Sequence, residues 1–164
     1  MNSRELNDRG VDLIEEGRVE EALECFDKAI ELDPQAILSR INRANTLAVL
    51  GRIDEAIGEF AAALRIDEEN TSLWYNRGIV MSQIGDEEEA ERCYRRAIQI
   101  NPQDEDSSSS YNNLAVCLIN RGKLEEAIQY LEKAVQLDPQ NKSASSNLRV
   151  VHRLLGDKDK SGEC

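Results

Sequence analysis

The sequence predicts an all-α protein, built as an array of antiparallel helical hairpins. Equivalent small and turn-forming residues recur about every 34 positions along the 164-residue chain, which is typical of a helical repeat. Hydrophobic residues make up 40% of the chain but aromatic residues only 4%, so the core must consist mainly of Ala, Leu, Ile and Val. This composition favours closely packed helices.

Five columns of equivalent residues share one register, with steps of 34, 34 and 37 residues between successive members. Chance does not align five columns in this way, and the sequence is therefore a tandem repeat. The columns consist of Gly10, Ala44, Gly78 and Ala115; Gly17, Gly51, Gly85 and Gly122; Ala22, Ala56, Ala90 and Ala127; Phe26, Phe60, Tyr94 and Leu131; and Ala29, Ala63, Ala97 and Ala134.

The columns follow the order of elements within one hairpin. Small residues in its first and second helix, such as Gly10 and Ala22, allow the two helices to approach closely. Glycine between the helices, such as Gly17, ends the first helix in the left-handed conformation. Acidic residues open the second helix, where the helix dipole favours them, and proline after it, as at Pro34 and Pro102, prevents its continuation.

These signals predict one domain over residues 1–156. Four repeats occupy 3–36, 37–70, 71–104 and 108–141, with an insertion at 105–107, and a solitary capping helix follows at 142–156. We expect residues 157–164, which are charged and small, to form a disordered tail. The predicted helices span 3–16, 19–32, 37–50, 53–66, 71–84, 87–100, 108–121, 124–137 and 142–155.

The columns resemble the tetratricopeptide repeat, whose pattern begins W-x-x-L-G-x-x-Y and continues with A, F, A and P. The third repeat matches this pattern best, through Trp74, Gly78, Gly85, Ala90, Tyr94, Ala97 and Pro102. The column that holds leucine in the family is occupied here by Arg9, Arg43 and Arg77. We interpret these arginines as structural, because the alkyl stem of each can pack between helices while its guanidinium meets a carboxylate.

The resemblance implies a right-handed α-α superhelix whose first helices line a concave groove. It also implies a module that binds a protein or an extended peptide without catalysis. The groove columns of the second, third and fourth repeats contain no charged residue, although 32% of the chain is charged. Two explanations stay open: either packing against neighbours excludes charge from these positions, or the groove is adapted to a weakly charged ligand.

Asparagine recurs in one groove column, at positions 42, 76, 113 and 147. An amide both donates and accepts hydrogen bonds, so a row of amides can pair with the backbone of an extended peptide whatever its sequence. We therefore expect the peptide-binding residues to be Asn42, Asn45, Tyr75, Asn76, Ile79, Asn112, Asn113, Val116 and Asn147. Family members that grip acidic chaperone tails use Lys and Arg at matching columns. At these columns this chain has no Lys or Arg, but Asn7, Val11, Asn42, Ser72 and Asn76, of which only Asn42 matches the residue found in those members. We therefore do not expect the chain to bind an acidic chaperone tail.

Charge and composition limit the classes of partner that the chain can bind and indicate its cellular compartment. The net charge of −12 repels nucleic acid and anionic membranes, and the longest apolar run, 114–119, is too short to span a bilayer. The polar start of the chain leads into no apolar stretch, so we expect no secretory signal. Four cysteines without C-x-x-C spacing, and one histidine, His152, predict no metal site and no cofactor. Free cysteines indicate the cytoplasm.

Nothing in the sequence predicts catalysis. Phosphate-binding loops, nucleophile elbows and metalloprotease motifs are absent from it, and its paired carboxylates lie at helix starts, where capping explains them. We therefore expect no catalytic residue and no enzyme. Two alternatives to a peptide-binding module stay open, a self-assembling homo-oligomeric scaffold and a non-catalytic regulatory subunit of an enzyme. The expected state is a monomer or a weak homo-oligomer.

Overall fold

A computed structural model describes residues 1–103 and 107–161, with side chains as far as residue 156. Within these residues the chain forms nine α-helices and no strand, which confirms the all-α prediction. Eight helices begin and end within one residue of the predicted bounds. The helices are α1 (Ser3–Glu15), α2 (Val19–Leu32), α3 (Ile37–Val49), α4 (Ile53–Ile66), α5 (Thr71–Gln83), α6 (Glu87–Ile100), α7 (Ser107–Asn120), α8 (Leu124–Leu137) and α9 (Lys142–Ser161).

Glycine ends the first helix of each hairpin, with φ between 75° and 82°, at Gly17, Gly51, Gly85 and Gly122. At the first of these turns the Gly17 N–H donates to the Ile14 carbonyl (3.0 Å), and the Arg18 N–H donates to the Leu13 carbonyl (2.8 Å). These bonds satisfy two carbonyls that the ending helix leaves without partners. The left-handed residue therefore leads the chain directly from α1 into α2.

Aspartate follows the second helix of three of the hairpins and starts the turn to the next repeat. The Asp33 carboxylate accepts a hydrogen bond from the Gln35 N–H (3.0 Å), across the proline between them. The second repeat has Glu68 in place of proline, yet Asp67 accepts the equivalent bond from the Glu69 N–H (3.1 Å). The aspartate, which binds the backbone two residues on, therefore ends α4 even without proline.

The first compact unit, Met1–Asn76, contains α1 to α4 and the beginning of α5. The buried Phe26 ring of α2 lies directly on the backbone of Gly10 in α1, and Leu13 and Ala22 pack against the same ring. A Cβ atom added to Gly10 would lie 2.4 Å from the Phe26 Cε1 atom, far inside contact distance. Glycine is therefore required here for close approach of the two helices.

The second unit, Arg77–Cys164, contains the rest of α5 and α6 to α9, and it repeats this contact. Tyr94 of α6 lies on the backbone of Gly78, where an added Cβ would come within 2.7 Å of the ring Cε1 atom. Ala90 of α6 has no exposed surface, as its column predicts. In the same unit α9 contacts α7 and α8 and buries Ala144 and Val151.

The arginines that replace leucine are ion-paired. The Arg43 guanidinium in α3 contacts Asp27 of α2 (2.5 Å) and Glu59 of α4 (3.1 Å), so it connects three helices of the first unit. Arg77 pairs in the same way with Glu89 of α6 (2.6 Å). Both arginine side chains are only about one-fifth exposed. The structural interpretation of this column is confirmed at these two positions.

Two details differ from the prediction. First, α9 continues to Ser161 instead of ending at 155, so residues 157–161 of the expected disordered tail are helical, while 162–164 lie outside the described residues. Neither proline nor a helix-ending turn interrupts the chain there. Second, α7 begins at Ser107, which the sequence predicts as the last residue of the insertion. The Ser107 hydroxyl donates to the Asn101 carbonyl. Residues 104–106 lie outside the described part of the chain.

Candidate functional site

The first unit has a pocket between α1 and α3, which we name the first pocket. Its volume is about 170 Å³, and it is lined by Val11, Ile14, Phe26, Asn42, Asn45 and Thr46. Val11 and Ile14 are 39% and 38% exposed, whereas Phe26 is buried. The pocket is therefore apolar on the α1 side, polar on the α3 side, and closed at its inner wall by the ring that lies on Gly10.

The second unit has a similar pocket, the second pocket, between α5 and α7. Its volume is about 240 Å³, and it is lined by Ile79, Ser82, Gln83, Tyr94, Asn113 and Val116. The buried Tyr94 ring, which lies on Gly78, forms the inner wall. Ile79 of α5 and Val116 of α7 both line the pocket and are half-buried.

The two pockets are formed by residues at equivalent positions of the repeat. Each combines an aromatic inner wall, an asparagine from the next repeat and an aliphatic residue from the first helix. The corresponding pairs are Val11 and Ile79, Ile14 and Ser82, Phe26 and Tyr94, Asn42 and Asn113, and Asn45 and Val116. The same fold positions therefore form a cavity in both units, with a more polar wall in the second.

Two asparagines of the predicted ladder bond to the preceding repeat. Asn42 Nδ2 donates to Asn7 Oδ1 (2.9 Å), and Asn147 Nδ2 donates to Asn112 Oδ1 at the same distance. The bonds are equivalent in the repeat, and each takes up an amide nitrogen. Within the described residues the amide oxygens of Asn42 and Asn147 accept no hydrogen bond. These oxygens are therefore the atoms that remain for a ligand.

Asn76 is bonded at both amide atoms. Its Oδ1 accepts from Asn45 Nδ2 (2.9 Å), and its Nδ2 donates to the Ser72 carbonyl (2.8 Å). Asn112 is only 7% exposed and donates to Asn113 Oδ1 (3.2 Å). Asn76 and Asn112 therefore act mainly within the chain, as connections between or within helices.

Five of the nine predicted residues line the pockets: Asn42 and Asn45 the first, and Ile79, Asn113 and Val116 the second. The other four, Tyr75, Asn76, Asn112 and Asn147, line neither of the two. Conversely, each pocket includes an aromatic residue, Phe26 or Tyr94, that is not among the nine predicted residues. The signal for it was present, because glycine in the small-residue column accompanies an aromatic ring in the first and third repeats.

Exposure bears on the two explanations for the uncharged groove columns. Leu38 and Val49 belong to these columns and are 60% and 76% exposed. Packing cannot exclude charge from side chains that are mostly in water. At these two positions, the absence of charge favours the second explanation, a groove adapted to a weakly charged ligand.

Two thiols in the second unit are chemically inert. Burial raises the pKa of Cys93 and of Cys117 to about 12, so both stay protonated at neutral pH. Both are buried, and they act as small hydrophobic side chains. In the part of the chain that the structure describes, His, Cys, Asp and Glu side chains form no group suited to a metal ion.

Comparisons with known proteins agree with this architecture. A family model described as "Tetratricopeptide repeat" matches residues 5–69 and 69–140. No protein in the curated set matches the chain. A structure of PilF from Pseudomonas aeruginosa superposes with a TM-score of 0.86 at 22% identity, over 96% of this chain and 69% of PilF. PilW, a type IV pilus biogenesis factor, gives 0.83 at 21%, over 94% and 70%.

A third solved structure is that of YrrB, described as a TPR protein with an unusual peptide-binding site. It superposes with a TM-score of 0.69 at 28% identity, over 94% of this chain and 78% of YrrB. At 21–22% identity, PilF and PilW show a shared fold alone. No helix among the described residues is both long enough and apolar enough to cross a membrane.

Proposed function

The chain belongs to the tetratricopeptide repeat family, which makes it a protein–protein interaction module, and we propose that its groove binds an extended, weakly charged segment of a partner protein. The observation that carries the proposal is the occurrence of the same pocket in both units. A peptide-binding site is also named for YrrB, to which this chain is similar.

The chemistry of the pockets defines the ligand. An aliphatic side chain of the segment enters a pocket and covers Val11 and Ile14 in the first pocket, or Ile79 and Val116 in the second, which removes apolar surface from water. Backbone N–H groups of the segment donate to the amide oxygen of Asn42 in the first pocket and, in the second, to the Asn113 oxygen, which already accepts from Asn112 and can accept a second hydrogen bond. Backbone contacts thus provide affinity, and the side chains that fit the pockets determine which peptide sequences are preferred.

The affinity should be modest, on the order of micromolar or about −8 kcal/mol, because a flexible segment loses conformational entropy on docking. The groove columns of the second to fourth repeats are uncharged, so binding should depend weakly on salt.

The test begins with selection from a displayed library of unstructured peptides on the purified chain. The selected peptide is labelled and titrated by fluorescence anisotropy against the wild type and against Asn42→Ala combined with Asn113→Ala. We expect the double variant to bind about tenfold more weakly, since each lost hydrogen bond is worth about 0.5–1.5 kcal/mol. Circular dichroism checks that the variant remains folded.

The matched control is Gln129→Ala, which removes an exposed amide from α8. It should leave the peptide affinity unchanged. Equal binding by the double variant and the control would overturn the proposal, and so would a loss of binding between low and moderate salt.

The remaining functional expectations belong to the same proposal. The family fold typically serves as a non-catalytic scaffold, and we propose that this chain has no enzymatic activity and needs no cofactor. The thiols of Cys25, Cys93 and Cys117 are free, which supports a reducing compartment such as the cytoplasm. Co-purification followed by mass spectrometry distinguishes a soluble peptide-bearing partner from an enzyme that this chain would regulate.

A further inference from the structure

The helix α9 differs in charge from the rest of the chain. Between residues 142 and 156 it has three basic residues and no acidic one, although the whole chain has a net charge of −12. The basic residues are Lys142, Arg149 and Arg153, and their spacing places them on one stripe of the helix. All three are exposed. Among the residues whose side chains the structure describes, none pairs with these three charges.

The exposed face of α9 is not built to be covered by a second helix of its own repeat. Arg149 stands in the column that holds Gly10, Ala44, Gly78 and Ala115 in the other repeats. At Gly10 even a Cβ atom would collide with the ring of the paired helix, so an arginine in that column requires an open surface. Val150 and Leu154, 46% and 43% exposed, border the basic stripe. The face therefore combines positive charge with two aliphatic side chains.

The helix α1 presents the opposite charge. Asp8, Asp12 and Glu15 are exposed, and their spacing places them on one stripe of α1, opposite the face that packs on α2. Within the part of the chain that the structure describes, none of these carboxylates forms an ion pair. Val11, 39% exposed, adjoins the stripe. This face therefore combines negative charge with an aliphatic side chain.

We propose that the chain associates end to end, with the basic face of α9 in one copy against the acidic face of α1 in a second copy. The contact would be heterologous, because two different faces meet, and each copy would keep one face of each kind for further copies. This inference goes beyond peptide binding, because it involves surfaces outside both pockets, apart from Val11 at the rim of the first.

The repeat itself supplies the register of this contact. In the first unit, Ile14 of α1 lies in one pocket with Asn42 and Thr46 of α3. The residues at the same repeat positions in α9 and α1 are Arg153, Asp8 and Asp12. If α1 of the second copy packs beside α9 as α3 packs beside α1 within one chain, Arg153 lies between the carboxylates of Asp8 and Asp12. By the same register Val150 of α9 lies near Val11 of α1.

An anionic membrane is the competing occupant for a basic face with exposed aliphatic side chains. The observations favour a second copy. The acidic face of α1 offers both the charge and the aliphatic contact that α9 requires, whereas the net charge of −12 repels an anionic surface from the rest of the molecule.

The experiment measures the mass of the full chain by sedimentation equilibrium over a wide range of concentration and at two salt concentrations. We expect the weight-average mass to rise with concentration and the association constant to fall about tenfold as screening increases. Two variants reverse the faces, Arg149→Glu with Arg153→Glu and Asp8→Lys with Asp12→Lys. Each variant alone should remain monomeric, because like charges then face each other.

A mixture of the two variants restores opposite charges and should associate again, which a variant that has simply misfolded cannot do. The control, Glu31→Lys with Glu132→Lys, makes the same change of charge as Asp8→Lys with Asp12→Lys, but at exposed positions on α2 and α8, and should associate like the wild type. A monomeric wild type at every concentration, or a mixture that stays monomeric, would overturn the proposal. So would a monomeric chain that binds vesicles of anionic lipid through α9. Because peptide binding is measured on pocket variants, failure here leaves the proposed function standing.

Discussion

The contact between Gly10 and Phe26 provides a quantitative test of how the hairpins are packed. In Gly10→Ala the new Cβ would lie 2.4 Å from Cε1, 2.8 Å from Cζ and 2.9 Å from Cδ1 of the ring, so the ring or the helix must move. Overpacking of this kind costs about 1–3 kcal/mol. Alanine also favours the helix over glycine by about 0.5–1 kcal/mol, which offsets part of this cost. The expected net effect is a destabilisation of up to about 2.5 kcal/mol.

Gly58 offers the matched control, because it lies within α4 and a Cβ atom there would meet no atom within 4 Å. Gly58→Ala should therefore stabilise by about 0.5–1 kcal/mol. The two variants share the propensity gain, so the difference between their free energies of unfolding isolates the contact, at about 1–3 kcal/mol.

Urea denaturation followed by circular dichroism measures this difference in the free energy of unfolding. Repeat arrays open locally, so hydrogen exchange of the α1 and α2 amides shows whether the loss lies at the predicted contact. Equal stabilisation by Gly10→Ala and Gly58→Ala would refute the reasoning. Since Phe26 is the inner wall of the first pocket, Gly10→Ala should also weaken any peptide that uses this pocket.

Three further predictions concern packing and titration. Ala90→Leu should destabilise by about 1–3 kcal/mol, because Ala90 is fully buried between helices. Exposed Glu88→Gln is the control, because the neighbouring Glu87 is half-buried and accepts a hydrogen bond from Asn120 (2.7 Å). Equal shifts in the melting temperature would contradict the prediction. Deleting residues 142–164 should uncover α7 and α8 and lower solubility, whereas deleting 162–164 should not; equal solubility would show that α9 is no cap. Cys93 and Cys117 have pKa values raised from 9.0 to about 12, so their contribution to stability is complete below pH 9 and is lost as pH rises towards 12. At neutral pH, iodoacetamide and mass spectrometry should find them labelled more slowly than the half-buried Cys25, and equal rates would contradict burial.

Most of the fold could be predicted because particular residue types mark the ends of its helices. A left-handed glycine such as Gly17 and an aspartate such as Asp33 each end a helix by a local hydrogen bond, and local bonds depend on neighbouring residues alone. The end of α9 could not be placed in this way. Gly156 stands in the column of Gly122 and indicates a turn after Leu155, but it is not left-handed in the structure, and the helix continues through it. The chain then stays helical until another influence stops it, and the sequence carries no sign of where that occurs.

The candidate site was harder to predict because it depends on contacts between repeats. A column shows that Asn42 and Asn147 are equivalent, but it does not show which residue of the preceding repeat lies opposite. The structure places Asn7 and Asn112 there, so the amide nitrogens are occupied and only the oxygens remain. At Asn42 and Asn147 the ladder, which was expected to donate and accept, therefore acts mainly as an acceptor. Its expected ligand group is a backbone N–H.

The pockets are related to the alternation of glycine and alanine in the small-residue column, and the packing distances explain how. Gly10 and Gly78 accompany Phe26 and Tyr94, whereas the second and fourth repeats pair Ala44 with Phe60 and Ala115 with Leu131. Only glycine lets a ring lie on the backbone of the first helix, because the distances at both glycines leave no room for a Cβ atom. Glycine at this column therefore determines how deeply the ring sits, and the ring forms the inner wall of the pocket beside it. A substitution in this column should change ligand preference as well as stability, which gives a packing residue a functional effect without contact to the ligand.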